Sequence, residues 1–264
     1  MPIFEDLESF EGVSPFIQWA IFIVGALIAV VAVFAVGVSV WLAVKYIAYN
    51  RRQNSAGLNG YGAARKILDA NGLRDIKVST MGSVIFGNSY SHYFKKVRIR
   101  RLTAKKTSIT SLAIGAEKAS LAVLDKEQDP DMVTRVRLTP LIYLGPLAFI
   151  PLIALGLIID FVFFNFSGVV TLITTLLGLA LYVISFVLSI KVLKTEIKAQ
   201  SKAIEIMRSE NMANEEELDM MKELYKIYNI EYINDIVMEF LQLLLRILQI
   251  IAKLQQNSAS SSSD

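Results

Sequence analysis

Few residues in this chain could do chemistry on a substrate or at a metal. Its 264 residues include one histidine, His92, and no cysteine. No disulfide is possible, and a zinc site, which takes three or four thiolates, imidazoles or carboxylates, could draw on one imidazole only. The same counts exclude cysteine peptidases, CxxC redox centres and thioether-linked haem, and any Ser/His/Asp triad would have to use His92. Two carboxylates are worth weighing. Glu117 precedes Lys118, and Glu196 lies between Lys194 and Lys198; ordinary ion pairing outweighs catalysis for both. His92 and Ser120 could be imagined as base and nucleophile, but no spacing supports it, and a hydrogen-bonded framework role is expected for the histidine.

The densest cluster of functional groups is basic. Lys95, Lys96, Arg98, Arg100, Arg101, Lys105 and Lys106 fall within twelve residues. They suit an anionic partner: lipid headgroups, an acidic peptide segment or RNA. Basic residues beside an anionic leaflet gain about 1 kcal/mol each, so membrane lipid explains them without a dedicated ligand. No recognition module for nucleic acid accompanies them, and no nucleic-acid partner is expected. The wider block from Lys45 to Arg137 holds eighteen basic and seven acidic residues, although the whole chain carries only +3.

The elements that position these residues begin with the membrane. Pro15 to Val44 is thirty residues without a charge, more than the ~20 that a helix needs to cross the hydrocarbon layer. It follows an acidic stretch and is too long for a signal peptide. Pro140 to Ile159 and Val169 to Ile190 form a second and third apolar run, a helical hairpin whose connection, Asp160 to Gly168, offers Phe161, Phe163, Phe164 and Phe166 to the interface. Lys45, Arg51 and Arg52 follow the first run, Arg135 and Arg137 precede the second, and Lys191, Lys194 and Lys198 follow the third. Positive-inside then places the N-terminus outside and the main soluble domain in the cytoplasm. The expected layout is an acidic extracytoplasmic N-terminus (1–14), a transmembrane helix (15–44), a cytoplasmic α+β domain (45–137), a transmembrane hairpin (138–190) and cytoplasmic helices (191–232). A fourth transmembrane or interfacial helix (233–254) and a disordered tail (255–264) follow. In the fourth segment Asp235, Glu239, Gln242, Arg246, Gln249 and Lys253 form one polar stripe at helical spacing. The Ser-rich residues from Asn257 on lack apolar anchors.

Within the soluble part, Gly62 to Ala70 has helical spacing and stops at Asn71-Gly72. Ile76 to Ser79 is a short β-type run, and Val97 to Leu102 alternates apolar and basic residues as a strand with one wet face. Thr107 to Leu124 fits a mostly buried helix, closed by Gln128 to Asp131 with Pro130. Lys191 to Ser209 continues the third span as a charged helix. Asn214 and Glu217 form a capping box opening another helix through Tyr228.

Leu58 to Leu73, LNGYGAARKILDANGL, resembles the LTGxxxARxILDxNGL opening of the YugP-type membrane zinc metallopeptidases. The order continues through Ser91-His92-Tyr93, similar to that family's DHY segment, then a basic strand, a helix, a membrane hairpin and Glu196-Ile197-Lys198-Ala199. The resemblance implies a mainly α multi-pass membrane protein, with three to four transmembrane helices and a small α+β domain of gluzincin-like build, in a bacterial plasma membrane. In that family the helix after the basic strand bears H-E-x-x-H, two imidazoles on one helical face holding zinc and a glutamate base. This chain reads Ala116-Glu117-Lys118-Ala119-Ser120 there. Both histidines are gone and no realignment restores them. The resemblance places the third ligand at Glu196, with Lys198 as an opposing cation nearby.

A degenerate, non-catalytic site (Ala116, Glu117, Ser120, Glu196), with no metal and no cofactor, follows from this reading. The expected role is that of a subunit, scaffold or regulator of a membrane protein complex. Its partners would be lipid, another membrane protein or a second copy, which Gly25 and Ala29 in the first span would let approach closely. An acidic peptide could lie along Val97 to Leu102 by strand addition. The alternatives are an enzyme with non-standard or partner-completed chemistry, resting on Glu117, and a transport or channel component, resting on Pro140, Pro146, Pro151 and the polar stripe.

Overall fold

The computed structural model describes residues 10, 12–81, 87–164 and 168–260. The acidic residues Glu5, Asp6, Glu8 and Glu11, the aromatic Phe166 and the last four residues of the expected tail lie outside them. Two compact units are present: one comprises the chain up to Gly37 with Ile233 onward, the other Val38–Tyr232.

Three helices are long and apolar enough to cross a membrane: α1 (Pro15–Arg51), α5 (Pro130–Phe163) and α6 (Val169–Ser209). Proline opens α1 and α5 at the first helical position, where its missing N–H has no partner to lose. The preceding helix ends at Lys126, just before the Gln128 to Asp131 segment expected to close it, but Pro130 also opens the next helix. Asp129 accepts from the N–H groups of Asp131 (2.9 Å) and Met132 (3.2 Å), so a new helix starts there and runs straight into the second apolar run. The hairpin connection is also shorter than expected, because α5 continues through Phe163. Asp160 stays helical and uses its carboxylate to cap α6, accepting from the Thr171 N–H (2.7 Å) and hydroxyl (2.6 Å). The two helices cross closely where side chains are small. The Gly145 N–H donates to Ser185 Oγ (3.0 Å), whose hydroxyl donates to the Leu141 carbonyl (2.7 Å), and a Cβ at Gly156 would fall 2.8 Å from Thr171 Cα.

The soluble core lies in the larger unit. Helix α2 (Gly60–Ala70) is capped by Asn59, which accepts from the Gly62 N–H at 2.7 Å, and stops at Asn71 with Gly72 in the left-handed region. Ala63, Ala64, Ile67 and Leu68 form its buried face. It packs on α4 (Ile109–Lys126), where Ser108 is the cap and nearly every residue is buried. The contact is backbone to backbone: a Cβ on Gly115 would lie 2.3 Å from the Gly60 carbonyl oxygen. Strands β1 (Lys77–Met81), β2 (Ser89–Ser91) and β3 (Lys96–Arg100) form one sheet in the order β1-β3-β2, with β1 parallel and β2 antiparallel to β3. Val97 and Ile99 are fully buried, as their alternation requires. The strand ends at Arg100 rather than Leu102, and Arg101–Lys105 forms a short helix, α3. Because β3 is the central strand, both its edges are occupied. Strand addition along Val97 to Leu102 is therefore not available, which corrects the peptide-groove expectation.

Helix α7 (Glu215–Ser260) opens with the expected capping box: Asn214 Oδ1 accepts from the Glu217 N–H (2.9 Å) and Glu217 Oε2 from the Asn214 N–H (3.0 Å). It does not stop near Tyr228 but continues through the fourth apolar segment and through Ser260, so residues 255–260 of the expected disordered tail are helical. No helix-breaking residue lies between Glu215 and Ser260. In the smaller unit Leu245, Leu248 and Ala252 of α7 pack on Val13, Ile17, Ile21 and Val24, and the Ser14 N–H donates to Gln255 Oε1 (2.9 Å).

Candidate functional site

The segment Ala116-Glu117-Lys118-Ala119-Ser120 sits in the middle of α4, on a helix with almost every residue buried. Ala116 is fully buried and presents only a methyl group. Ser120, one turn on, is also fully buried, and its hydroxyl has no hydrogen-bond partner. Glu117 is buried and accepts from Gln200 Nε2 at 2.9 Å. Gln200, on α6, is itself held by Asn229 of α7 through reciprocal amide bonds of 3.0 and 2.8 Å.

The charge that organises this site comes from Lys118. Its ammonium lies 3.3 Å from Glu117 Oε2 and 2.8 Å from Glu196 Oε2, while Arg135 Nη2 of α5 meets the other Glu196 oxygen at 2.7 Å. A helix buried all round can carry a lysine only if the ammonium is paired. Burial pushes the Glu117 carboxyl up, with Lys118 opposing and Glu196 adding to the rise. Burial also works against charge on Glu196, but Lys118 and Arg135 outweigh it and hold that carboxyl down to about 2. For Lys118 the burial penalty is overcome by the two carboxylates, and its ammonium is held above the ordinary lysine range.

The two carboxylates behave as the sequence predicts, as ion-paired groups, but the cation beside Glu196 is Lys118 and not Lys198. Lys198 turns instead to Asp129 (2.8 Å) and Asp131. Residues two apart on a helix point to different faces, so proximity in sequence to Glu196 was misleading. His92 is far from a Ser120 partnership: its Nδ1 lies 2.6 Å from Asp125 Oδ2, which also accepts from the Tyr90 hydroxyl at 2.6 Å. The imidazole thus ties the β2–β3 turn to the end of α4, a framework bond. Asp125, Arg135, Gln200 and Asn229 were not singled out from sequence. Only Lys118 carried a readable signal, as the one cation beside Glu117 in an otherwise apolar helical run.

The basic cluster is split by the fold. Lys95, in the turn before β3, pairs with Asp75 at 3.5 Å, and Arg98 lies over the Phe94 ring at 5.6 Å from its centre. Lys96 and Arg100 belong to β3, and the Arg100 N–H donates to Asn88 (2.8 Å). Arg101 and Lys105 are on α3 and Lys106 follows it; all three are exposed.

Three helices long and apolar enough to cross a membrane thus accompany a buried α4 whose Lys118 meets a carboxylate of α6. Residues 23–252 match the family described as "Putative neutral zinc metallopeptidase", and the chain belongs to that family. It is similar to "Putative membrane protease YugP" of Bacillus subtilis (strain 168), with 24% identity over 221 residues, covering 80% of this chain and 90% of that protein. No solved structure matches the chain.

Family membership implies zinc, and the donor set here does not fit it. Ala116 has no donor atom, a neutral hydroxyl such as that of Ser120 is a poor ligand, and both oxygens of Glu196 are engaged by cations. Among the described residues no group of three or more His, Cys, Asp or Glu side chains could hold a metal ion.

Proposed function

We propose that this chain is a non-catalytic member of the zinc-peptidase family that keeps the fold as a subunit or scaffold in a membrane complex. One observation carries the reading: the Lys118 ammonium lies between Glu117 and Glu196, the two carboxylates that would serve as base and third ligand. A fixed cation there repels a second one and leaves Glu117 no metal-bound water to deprotonate. The Lys/Arg bias near the three apolar runs supports a multi-pass arrangement in a bacterial plasma membrane, with the N-terminus outside and the α+β domain cytoplasmic. Its partners in this reading are another membrane protein or a second copy, together with membrane lipid. The test is zinc content and peptide cleavage of the full chain purified in mild detergent. The expected result is substoichiometric zinc and no cleavage; one zinc per chain with chelator-sensitive cleavage overturns the reading.

A further inference from the structure

The apolar run of α1 ends at Val44, and Tyr46 and Asn50 follow it one helical turn apart. At 1.5 Å per residue they lie about 3 and about 9 Å beyond that end along the axis. A bilayer's headgroup layer extends roughly 5–7 Å beyond the hydrocarbon on each side, so Tyr46 stands at headgroup depth and Asn50 at its outer edge. They form one wall of a cleft of about 590 Å³, and Arg101, Leu102, Lys105 and Lys106 form another.

This lining differs from the rest of the basic cluster. It contains no carboxylate, and Arg101, Lys105 and Lys106 make no ion pair with any described residue. Among them stands Leu102, 86% exposed. Three uncompensated cations around one protruding aliphatic side chain, at headgroup depth, match an amphiphile whose anionic group sits above apolar chains. An acidic peptide or RNA would use the charges but would leave Leu102 and the membrane depth unexplained.

We propose that this cleft binds the phosphate-bearing headgroup of an anionic phospholipid, with Arg101, Lys105 and Lys106 meeting the phosphate and Leu102 entering the interface. The inference goes beyond the scaffold reading and stands whether or not the chain cleaves peptides, since it uses none of the residues around Glu117.

The test titrates the full chain, in an uncharged detergent, with phosphatidylglycerol, phosphatidylcholine of the same acyl chains, inorganic phosphate or an oligoglutamate peptide. Bound adducts are counted by native mass spectrometry. Phosphatidylglycerol should bind more tightly than phosphatidylcholine, and R101Q, K105Q and K106Q should each weaken it about fivefold, the triple variant about a hundredfold, to the phosphatidylcholine level. K95Q/K96Q, on the β2–β3 turn and β3, should leave it within about twofold. All three side chains are exposed, and the single variants carry the test if the triple variant melts early. Equal affinity for the two lipids, an undiminished preference in the single variants, displacement by inorganic phosphate at the lipid's own concentration, or binding of the peptide alone would each overturn the proposal. Zinc content and cleavage, measured on the same preparation, report separately on the scaffold reading.

Discussion

Replacing Lys118 by methionine should destabilise the protein even though methionine fills nearly the same volume. In the native site Glu196 is held from an ordinary 4.5 down to about 2 by two cations against the cost of burial. A shift of that size corresponds to about 3 kcal/mol of stability above pH 4.5. Lys118 and Arg135 share Glu196 at 2.8 and 2.7 Å, so removing Lys118 forfeits about half of this. It also leaves Glu117 buried without the one described cation that pairs with it, and because that carboxyl, already pushed up by burial, can take a proton, the further cost is about 1–2 kcal/mol. We expect about 3 kcal/mol, a melting temperature lower by about 6–12 °C, read by circular dichroism of the full chain in mild detergent. Adding E117Q to K118M should restore part of it, because the second change removes the buried carboxylate left without a cation while Glu196 keeps Arg135. The pH profile gives a second reading. A depressed carboxyl stabilises the folded state above its unfolded value, so the wild type should lose this contribution as pH falls from about 4.5 towards 2, and K118M should show a smaller loss over the same window. A K118M variant as stable as wild type at neutral pH, with an unchanged acid limb, would refute the assignment of Lys118 as the site's organising charge.

Rebuilding the motif should depend on the same lysine. A116H/S120H should take up little zinc while Lys118 occupies the carboxylates, whereas A116H/K118V/S120H should bind about one zinc per chain, measured by elemental analysis after dialysis. G115A would set a methyl 2.3 Å from the Gly60 carbonyl oxygen and should cost about 1–3 kcal/mol in thermal unfolding, since backbone must move to admit it. D160A removes the acceptor for the Thr171 N–H and hydroxyl and should lower stability by about 1 kcal/mol; D160N, which keeps an acceptor, should lose less.

Local chemistry was legible where it is short in sequence. The three apolar runs, the Asn71-Gly72 stop, the Val97/Ile99 alternation and the Asn214/Glu217 box all depend on contacts within a few residues. Strand β2 was not legible, because Ser-Tyr-Ser has no alternation to read and is strand only through its pairing with Lys96 to Arg98. The continuity of α7 was obscured by its change of composition near Ile233, which alters what the helix faces but not whether it is a helix. At the candidate site the sequence showed the residue types, a glutamate and a lysine side by side in an apolar helical run. It could not find the Lys118–Glu196 bond across 78 positions, nor the Gln200–Asn229 clasp on Glu117, because those depend on how α4, α6 and α7 pack.

The position of Lys118 also bears on how the protein matures. A site closed by a mobile ion must be filled after synthesis, and its occupancy follows the cell's supply of that ion. Here the positive charge arrives with the polypeptide itself, one covalent chain away from the carboxylates it neutralises. On the scaffold reading such a centre is complete as soon as the helices meet, and zinc depletion of growing cells should leave the folded fraction of the protein unchanged.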